Sequence, residues 1–484
     1  MNHRKISFLL AAVLAVGAAA SCGESVTPPR IDDTTTAAPE TTADPAADNL
    51  PDDLNFGGET VTFFYRQDIA SEFVVEEQTG DVVDDALFNS HMSVEQRLGV
   101  NIETVLMPGQ NGEDRNTYMA HITNTIMAGD DAYDWVDLMI GNSPIKMQEG
   151  IFKNLLDNKY IDVTKPYYLG GLADLVTIDG KLYFISGDAS LGYLKDTHCI
   201  FYNKSIAEDY DLGNLYEIVE DGQWTLDKAM ELSQAVAVDL DGDGVINDND
   251  QLGFRMYDQN HLNGFYAASE LHMFTDEGGE WAFTFGSDRD VSVVEKIRKL
   301  LYETPGGILV HNANLGLGKF VEGEVLFAVA EFDDAVSWLR DMQDPYGILP
   351  LPKYEASQKN YYTNARGTHN AFSMTTTSAN PDAAGAVMEA LSASNYKTVT
   401  PAYFEVALKT KYTVDDESAR MYDIIRSGLV LDFGYTFSNI AGNPTGVFIN
   451  SVMNGNFASR LAEKKESIIT TYTTYMETIR ENIK

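Results

Sequence analysis

The sequence predicts an α/β fold built from parallel strand–helix–strand units, and three observations carry that prediction. β-Rich and amphipathic helical segments alternate through residues 61–140 at the spacing such units need. The chain has 484 residues, enough to bury two cores rather than one. Aromatic residues make up 11% of it, which supplies cores and also rings able to stack on flat ligands.

The elements follow in order. Folded sequence is expected from about Gly58. Val61-Thr62-Phe63-Phe64-Tyr65 reads as the first strand. Val82–Leu98 reads as a helix with Val83, Ala86, Leu87, Val94 and Leu98 on its apolar face, closed by Gly99. Residues 100–105 read as a second strand, 117–127 as a helix and 135–140 as a third strand. Thr225 opens a helix that places Leu226, Ala229, Met230, Ser233 and Val236 on one face. Residues 323–330 read as a buried strand. Residues 459–483 read as an amphipathic helix carrying Leu461, Ile468, Ile469, Tyr472, Tyr475, Met476 and Ile479. No internal repeat is visible, and no apolar segment is long enough to span a bilayer.

Residues 1–21 have the build of a secretory signal. Arg4 and Lys5 precede a charge-free apolar run over 6–20, and small residues lead to Cys22. The segment resembles a bacterial lipoprotein signal, in which Cys22 is lipidated and becomes the mature N-terminus. Ala19 stands where Leu is usual, and the alternative is an ordinary cleaved signal followed by a chance Cys. Two or more acyl chains, at about 0.8 kcal/mol per buried CH₂, make a stable anchor. Residues 22–56 are Thr, Pro, Ala and Asp with almost no large apolar residue, the composition of a disordered tether reaching on the order of 30 Å. The expected location is the extracellular face of the cell membrane, lipid-anchored.

A formal net charge of −39 excludes nucleic acid as a partner and keeps the body off an anionic membrane surface. The chain has two cysteines; with Cys22 lipidated, Cys199 has no disulfide partner and is expected to be a buried strand residue.

One local motif is specific. In Asp239-Leu240-Asp241-Gly242-Asp243-Gly244-Val245-Ile246-Asn247-Asp248-Asn249-Asp250, carboxylates stand at loop positions 1, 3 and 5, Gly at 6, a backbone carbonyl donor at 7 and Asp at 12. Ca²⁺ takes six to eight hard oxygens around such a turn. The expectation is one structural Ca²⁺ on Asp239, Asp241, Asp243, Asn247 and Asp250 and the carbonyl of Val245. Asp250 stands where an EF-hand has Glu, and no second helix follows. The alternative is an acidic surface turn. No Gly-x-Ser-x-Gly elbow, HExxH or phosphate-loop motif occurs, and no carboxylate pair is singled out for glycoside chemistry, so no catalytic residue is assigned.

Several short stretches together resemble the extracellular solute-binding proteins of ABC importers, the family that includes maltose-binding protein. They are Asp137-Leu138-Met139-Ile140-Gly141 with Gly150-Ile151-Phe152-Lys153-Asn154-Leu155, Gly180-Lys181-Leu182-Tyr183-Phe184-Ile185, and Ile200-Phe201-Tyr202-Asn203-Lys204. Trp224-Thr225-Leu226-Asp227, the Asp-rich loop followed by Gly253-Phe254, Phe320 to Phe327, and Tyr346 to Tyr354 complete the series. Their order and spacing run from about residue 60 to 400. Ile185-Ser186 departs from the family's usual Ile-Pro.

The resemblance implies a two-lobed periplasmic-binding-protein-like fold of type II, with hinge strands and a ligand cleft between the lobes. Residues 57–198 and 355–412 are expected in lobe 1, and 199–354 and 413–484 in lobe 2. It implies a monomer that captures a small solute, most simply a carbohydrate, and passes it to ABC transporter permease subunits. A secreted glycan-active enzyme and a calcium-loop scaffold protein are the alternatives. Ligands of open α/β sheets lie beyond the C-terminal ends of the strands. The expected contacts are therefore Tyr65, Arg66 and Asp68, then Gly141 and Asn142, Asp196 and Thr197, Glu331 and Phe332, and Arg366 and His369.

Overall fold

Two sheets organise the chain. In this computed structural model residues 44–482 are described, apart from 311, 313–314, 341 and 413–415. The signal, Cys22 and most of the tether lie outside the described residues. Pro45–Lys484 form one compact unit.

The first sheet has four strands in the order Asn370–Met374, Trp135–Met139, Glu59–Arg66 and Val100–Met107. Glu59–Arg66 runs parallel to both neighbours, with Phe63 opposite Thr104 and Trp135. Asn370–Met374 is antiparallel to Trp135–Met139. Residues 63–66 of the first strand and all of the third are buried. That burial is why these segments read as apolar runs rather than as alternating patterns. The helix Val82–Leu98 begins where Asp81 accepts from the Val83 amide, and it ends at Gly99, whose φ is 59°. That left-handed backbone selects glycine, since an L side chain there would be strained. Leu87, Val94 and Leu98 are buried, each contributing about 1.5–3 kcal/mol of transfer free energy.

The second sheet has five strands in the order Tyr346–Leu349, His198–Asn203, Val325–Glu331, Leu252–Met256 and Gly307–Leu309. His198–Asn203 is antiparallel to both its neighbours, and Leu252–Met256 is parallel to both of its own. Cys199 is fully buried within His198–Asn203, and burial pushes its thiol pKa well above the ordinary value. The helix Leu226–Val236 is capped by the Thr225 hydroxyl, which accepts from the Lys228 amide. The terminal helix is Phe457–Asn482; Leu461, Ile468, Tyr472, Tyr475, Met476 and Ile479 are buried, but Ile469 is exposed.

The chain crosses between lobes at residues 195–198 and returns beside itself at 364–369. Thr197 and Ala365 form an antiparallel bridge, His198 donates to the Asn364 carbonyl and Arg366 to that of Asp196. Residues 355–363 belong with the second lobe rather than the first. Gln358 donates to the Ala268 carbonyl, Tyr361 to that of Val219, and Thr363 pairs with Leu429. Two hydrogen bonds tie the end of the terminal helix to the first lobe: Tyr475 Oη to the Pro144 carbonyl at 3.0 Å and Asn482 Nδ2 to that of Gln148 at 2.5 Å.

Two further expectations are corrected. The folded body starts at Pro45, because Ala46 and Leu50 are buried and Arg97 grips Asp48 at 2.6 and 2.8 Å. Lys165 Nζ also donates to the Ala47 carbonyl at 2.7 Å. The tether reading therefore holds for none of residues 45–56; a few polar anchors fix a segment whose composition alone would leave it loose. Residues 180–185, which the family resemblance implies are a strand, make only isolated bridges, Lys181 with Ile178 and Ile185 with Phe372, and no continuous strand.

Candidate functional site

The cleft between the lobes encloses about 570 Å³. Gln110, Asn111, Arg115, Gly141 and Asn142 line it from the first lobe, and Asp196, Arg366, Gly367 and Thr368 from the hinge. Gln259, Asn260, Asn263, Tyr435, Ser438, Asn439, Asn443 and Asn450 line it from the second lobe. Nine of the twenty-three lining residues are carboxamides, and Tyr435 is the single aromatic ring among them. A carboxamide offers both donor and acceptor, as a hydroxyl does, so such walls suit a polyhydroxylated solute. A larger groove of about 660 Å³ lies wholly within the second lobe. Two of its three cations are already engaged: Lys296 with Asp227 at 2.8 Å, and Arg298 with the carbonyls of Val452 and Met453. The inter-lobe cleft is the better site, because closure of the hinge acts on it.

Local chemistry places each wall. Asp68 accepts from the amides of Gly109 and Gln110 at 2.8 and 3.1 Å, which fixes the turn carrying Gln110 and Asn111. These amides hold the Asp68 pKa below the ordinary value. Asp258 accepts from the Asn260 amide and sets the turn carrying Gln259 and Asn260. Asp432 accepts from the Tyr435 amide at the start of Phe433–Thr436. Asn443 adopts φ 59°, which asparagine tolerates, and its side chain caps Pro444–Asn454 through the Gly446 amide. Asn439 Nδ2 donates across the cleft to the Gly141 carbonyl at 2.8 Å and to Asn142 Oδ1 at 3.2 Å.

Of the eleven residues expected to contact ligand, Gly141, Asn142, Asp196 and Arg366 line this cleft. The other seven lie outside its lining. Arg66 is sealed beneath it: Nε and Nη2 grip Asp137 at 2.7 and 3.1 Å, and Nη1 donates to Gln110 Oε1 and the Thr368 carbonyl. Burial works against its charge, but Asp137 more than offsets this and raises its pKa. Tyr65 is buried, bonded to Ser190 and Asn370 and stacked on Phe73. Thr197 is buried and donates to the Tyr193 carbonyl. Phe332 is a core residue, edge-on to Tyr422 at 5.1 Å, and offers no face for stacking. His369 Nδ1 must donate, because its partner at 2.7 Å is the Arg366 carbonyl; burial pushes its pKa down to about 4. Asp68 acts on the turn described above. Glu331 lies behind Arg366. These side chains hold the wall rather than form it, because alternation along a strand cannot say which residues its loop will cover.

The hinge floor is a charged network. Arg366 reaches Asp258 at 2.6 Å and Glu331 at 3.3 Å. Glu331 also faces His261 Nε2 at 3.3 Å and His198 Nε2 at 3.8 Å. Burial alone would raise the Glu331 pKa, but His261 and Arg366 bring it down to about 2. Asp196 goes the other way. Desolvation, then Glu331 and Glu72, push its carboxyl well above the ordinary range, while Thr368 Oγ1 donates to Oδ2 at 2.8 Å. Burial takes His198 down to about 4.

The Asp-rich loop follows the helix Leu226–Val236. Asp239, Asp241 and Asp243 bring one carboxylate oxygen each within 4.8 Å of the others. Asp239 accepts from Gly242 and Gly244, folding the loop around its carboxylate. Asp250 is buried, and its two oxygens accept from the amides of Leu240 and Asn247, which hold its pKa down. The Val245 carbonyl accepts from Asn247 Nδ2 at 3.1 Å.

Sequence reasoning missed the second-lobe wall. One signal could have found it. Residues 433–456 contain no Asp, Glu, Lys or Arg in a chain that is 22% charged, yet they hold five asparagines. A polar, uncharged stretch amid charge marks a surface whose hydrogen bonds are meant for something other than salt bridges.

No family model matches the sequence, and no curated protein does. Solved structures do match by shape. The cyclic α-maltosyl-1,6-maltose binding protein from Arthrobacter globiformis is similar at TM-score 0.58 and 14% identity, over 86% of this chain and 99% of that one. The extracellular solute-binding protein from Staphylococcus aureus in complex with maltose gives 0.57 and 14%, over 86% and 98%. The galacto-N-biose-/lacto-N-biose I-binding protein of the ABC transporter from Bifidobacterium longum, in complex with lacto-N-biose, gives 0.56 and 13%, over 86% and 98%. The two sheets, the paired hinge crossings and the cleft between them thus give this chain the two-lobed fold of ABC-transporter solute-binding proteins.

Proposed function

We propose that the protein captures a saccharide in the inter-lobe cleft and presents it to the permease of an ABC importer. The observation that carries this reading is the carboxamide-lined cleft at the hinge of a fold shared with sugar-binding proteins. Binding energy comes from hydroxyls exchanging water for amides on both walls, so that ligand selects the closed state. The test is a thermal-shift screen of the purified body against mono- and oligosaccharides, peptides and metal ions, with titration calorimetry and a turnover assay on every hit. Saccharide binding without turnover is the expected result. Hydrolysis of a bound saccharide would move the protein to the glycan-active enzymes.

Two accessory features belong to the same reading. Cys22 is lipidated and tethers the body to the outer face of the membrane; Cys22→Ser then appears in the medium or stays unprocessed. The Asp239–Asp250 loop holds a structural Ca²⁺, a reading supported by the three clustered carboxylates, whose mutual repulsion a cation relieves. Chelator should lower Tm, and Ca²⁺ should restore it better than Mg²⁺.

A further inference from the structure

The cations of the cleft are not all accounted for. Arg66 is neutralised by Asp137, and Arg366 by Asp258 and Glu331. Arg115, half-buried in the cleft wall, has no carboxylate partner among the described residues. Its Nε and Nη2 both donate to the Gln110 carbonyl, at 3.3 and 2.7 Å, and no described residue engages Nη1. Glu113 and Asp114 share its helical turn but are exposed and make no ion pair with it. Its pKa is lowered, first by burial and then by Arg66 and Arg366.

The rest of that corner is built alike. Arg115 sits in the first turn of the 16-residue helix Gly112–Met127, whose N-cap residue, Asn111, makes no side-chain cap. Asn111 and Arg115, on either side of the first helical residues, both line the cleft, so the partially positive amide end of the helix lies at its edge. Across the cleft, Asn263 is only 7% exposed, and its Oδ1 has no hydrogen-bond partner among the described residues. Such a buried acceptor is costly unless a ligand donor reaches it. The charge balance of the lining is inverted as well. The chain holds 73 acidic and 34 basic residues, yet the lining holds two arginines and one acid, Asp196.

We infer that the cleft is selective for a saccharide bearing an anionic substituent, a carboxylate or a sulfate, held by Arg115 and the N-terminus of Gly112–Met127. Hydroxyls of the same ligand donate to Asn263 Oδ1 and to the amides of both walls. This inference rests on the saccharide reading above and adds the charge of the ligand to it. An anion at this corner completes a guanidinium that the fold leaves unpaired, whereas a neutral sugar would leave its charge uncompensated in a partly desolvated wall.

The test compares matched pairs by calorimetry at two salt concentrations: galactose- and glucose-based mono- to trisaccharides against their uronic-acid and sulfated counterparts. The expected result is a preference of about tenfold or more for the acidic member, since hydrogen bonds to charged groups are about twice as strong as neutral ones. That preference should shrink as salt rises. Arg115→Gln should collapse the ratio of acidic to neutral affinity, and Arg115→Lys should restore part of it; the Tm of each free variant checks the fold. Whether uronate or sulfate gains more identifies the source of the anion. Neutral and acidic members binding alike would overturn this inference and leave the saccharide reading standing. Failure of every saccharide would overturn both.

Discussion

Two arginines flank the cleft and are held in opposite ways. Arg66 is 1% exposed, and its partner Asp137 is sealed, so the pair is a dry clamp inside one lobe. Arg366 keeps 28% of its side chain open and divides itself between Asp258 and Glu331, on the lobe across the hinge from its own strand. The first pair fixes a surface. The second can exchange partners when a ligand enters, because its desolvation is incomplete. A charge in a binding protein is thus read by how far water reaches it, not by its nearness to the ligand.

The largest effect should separate scaffold from site. Arg66→Met strands Asp137 without a counterion, and loss of about 3–5 kcal/mol is expected in denaturant melts; a loss below about 1 kcal/mol would show that the clamp is dispensable. Phe332→Ala, in the core against Phe404 and Tyr422, should cost a similar amount, about 3–5 kcal/mol. If it instead melted like wild type and bound sugar weakly, the ring would be a ligand platform after all.

Arg366→Gln should reverse the balance. A smaller stability loss than for Arg66→Met is expected, together with weakening of a validated ligand by on the order of ten- to a hundredfold. Equal stability losses in the two variants would erase the contrast between them.

The smallest effect is one of pH, and its sign differs between two acids of one hinge. Asp196 has a raised folded pKa, so ionising it works against the fold. Its cost is absent at low pH and grows as pH climbs above its unfolded value of about 3.9. Asp196→Asn should therefore melt higher than wild type at pH 7, with the gap closing by about pH 4. Glu331 is lowered to about 2, so its contribution is full above its unfolded pKa and is lost as pH falls from about 4.3 towards 2. A Glu331→Gln variant whose deficit grew on acidification would contradict this assignment.

Much of the frame was legible beforehand because periodicity and capping are local. The strand Glu59–Arg66, the stop at Gly99, the Thr225 cap and the terminal helix all follow from neighbours in sequence. The site was half legible. Gly141, Asn142, Asp196 and Arg366 lie where strands or hinges end, a rule of topology. Arg66, Glu331 and Phe332 come from the same kind of place but face inward, and that depends on partners from 71 residues away in one case and on long-range packing in the others. The opposite wall, 433–456, folds back from a distant part of the chain, and strand logic says nothing about it.

That wall has a consequence for where the protein can work. Around a body of net charge −39, mobile ions gather within a Debye length of about 8–10 Å, and that atmosphere changes with every change of medium. Residues 433–456 carry no charge for it to act on. A ligand held there in the manner proposed, by Tyr435, Ser438, Asn439 and their neighbours, would meet the same surface in dilute and in saline surroundings. Ionic strength can then tune only the opposite, arginine-bearing side of the cleft, so one wall keeps a constant grip while the other responds to the environment.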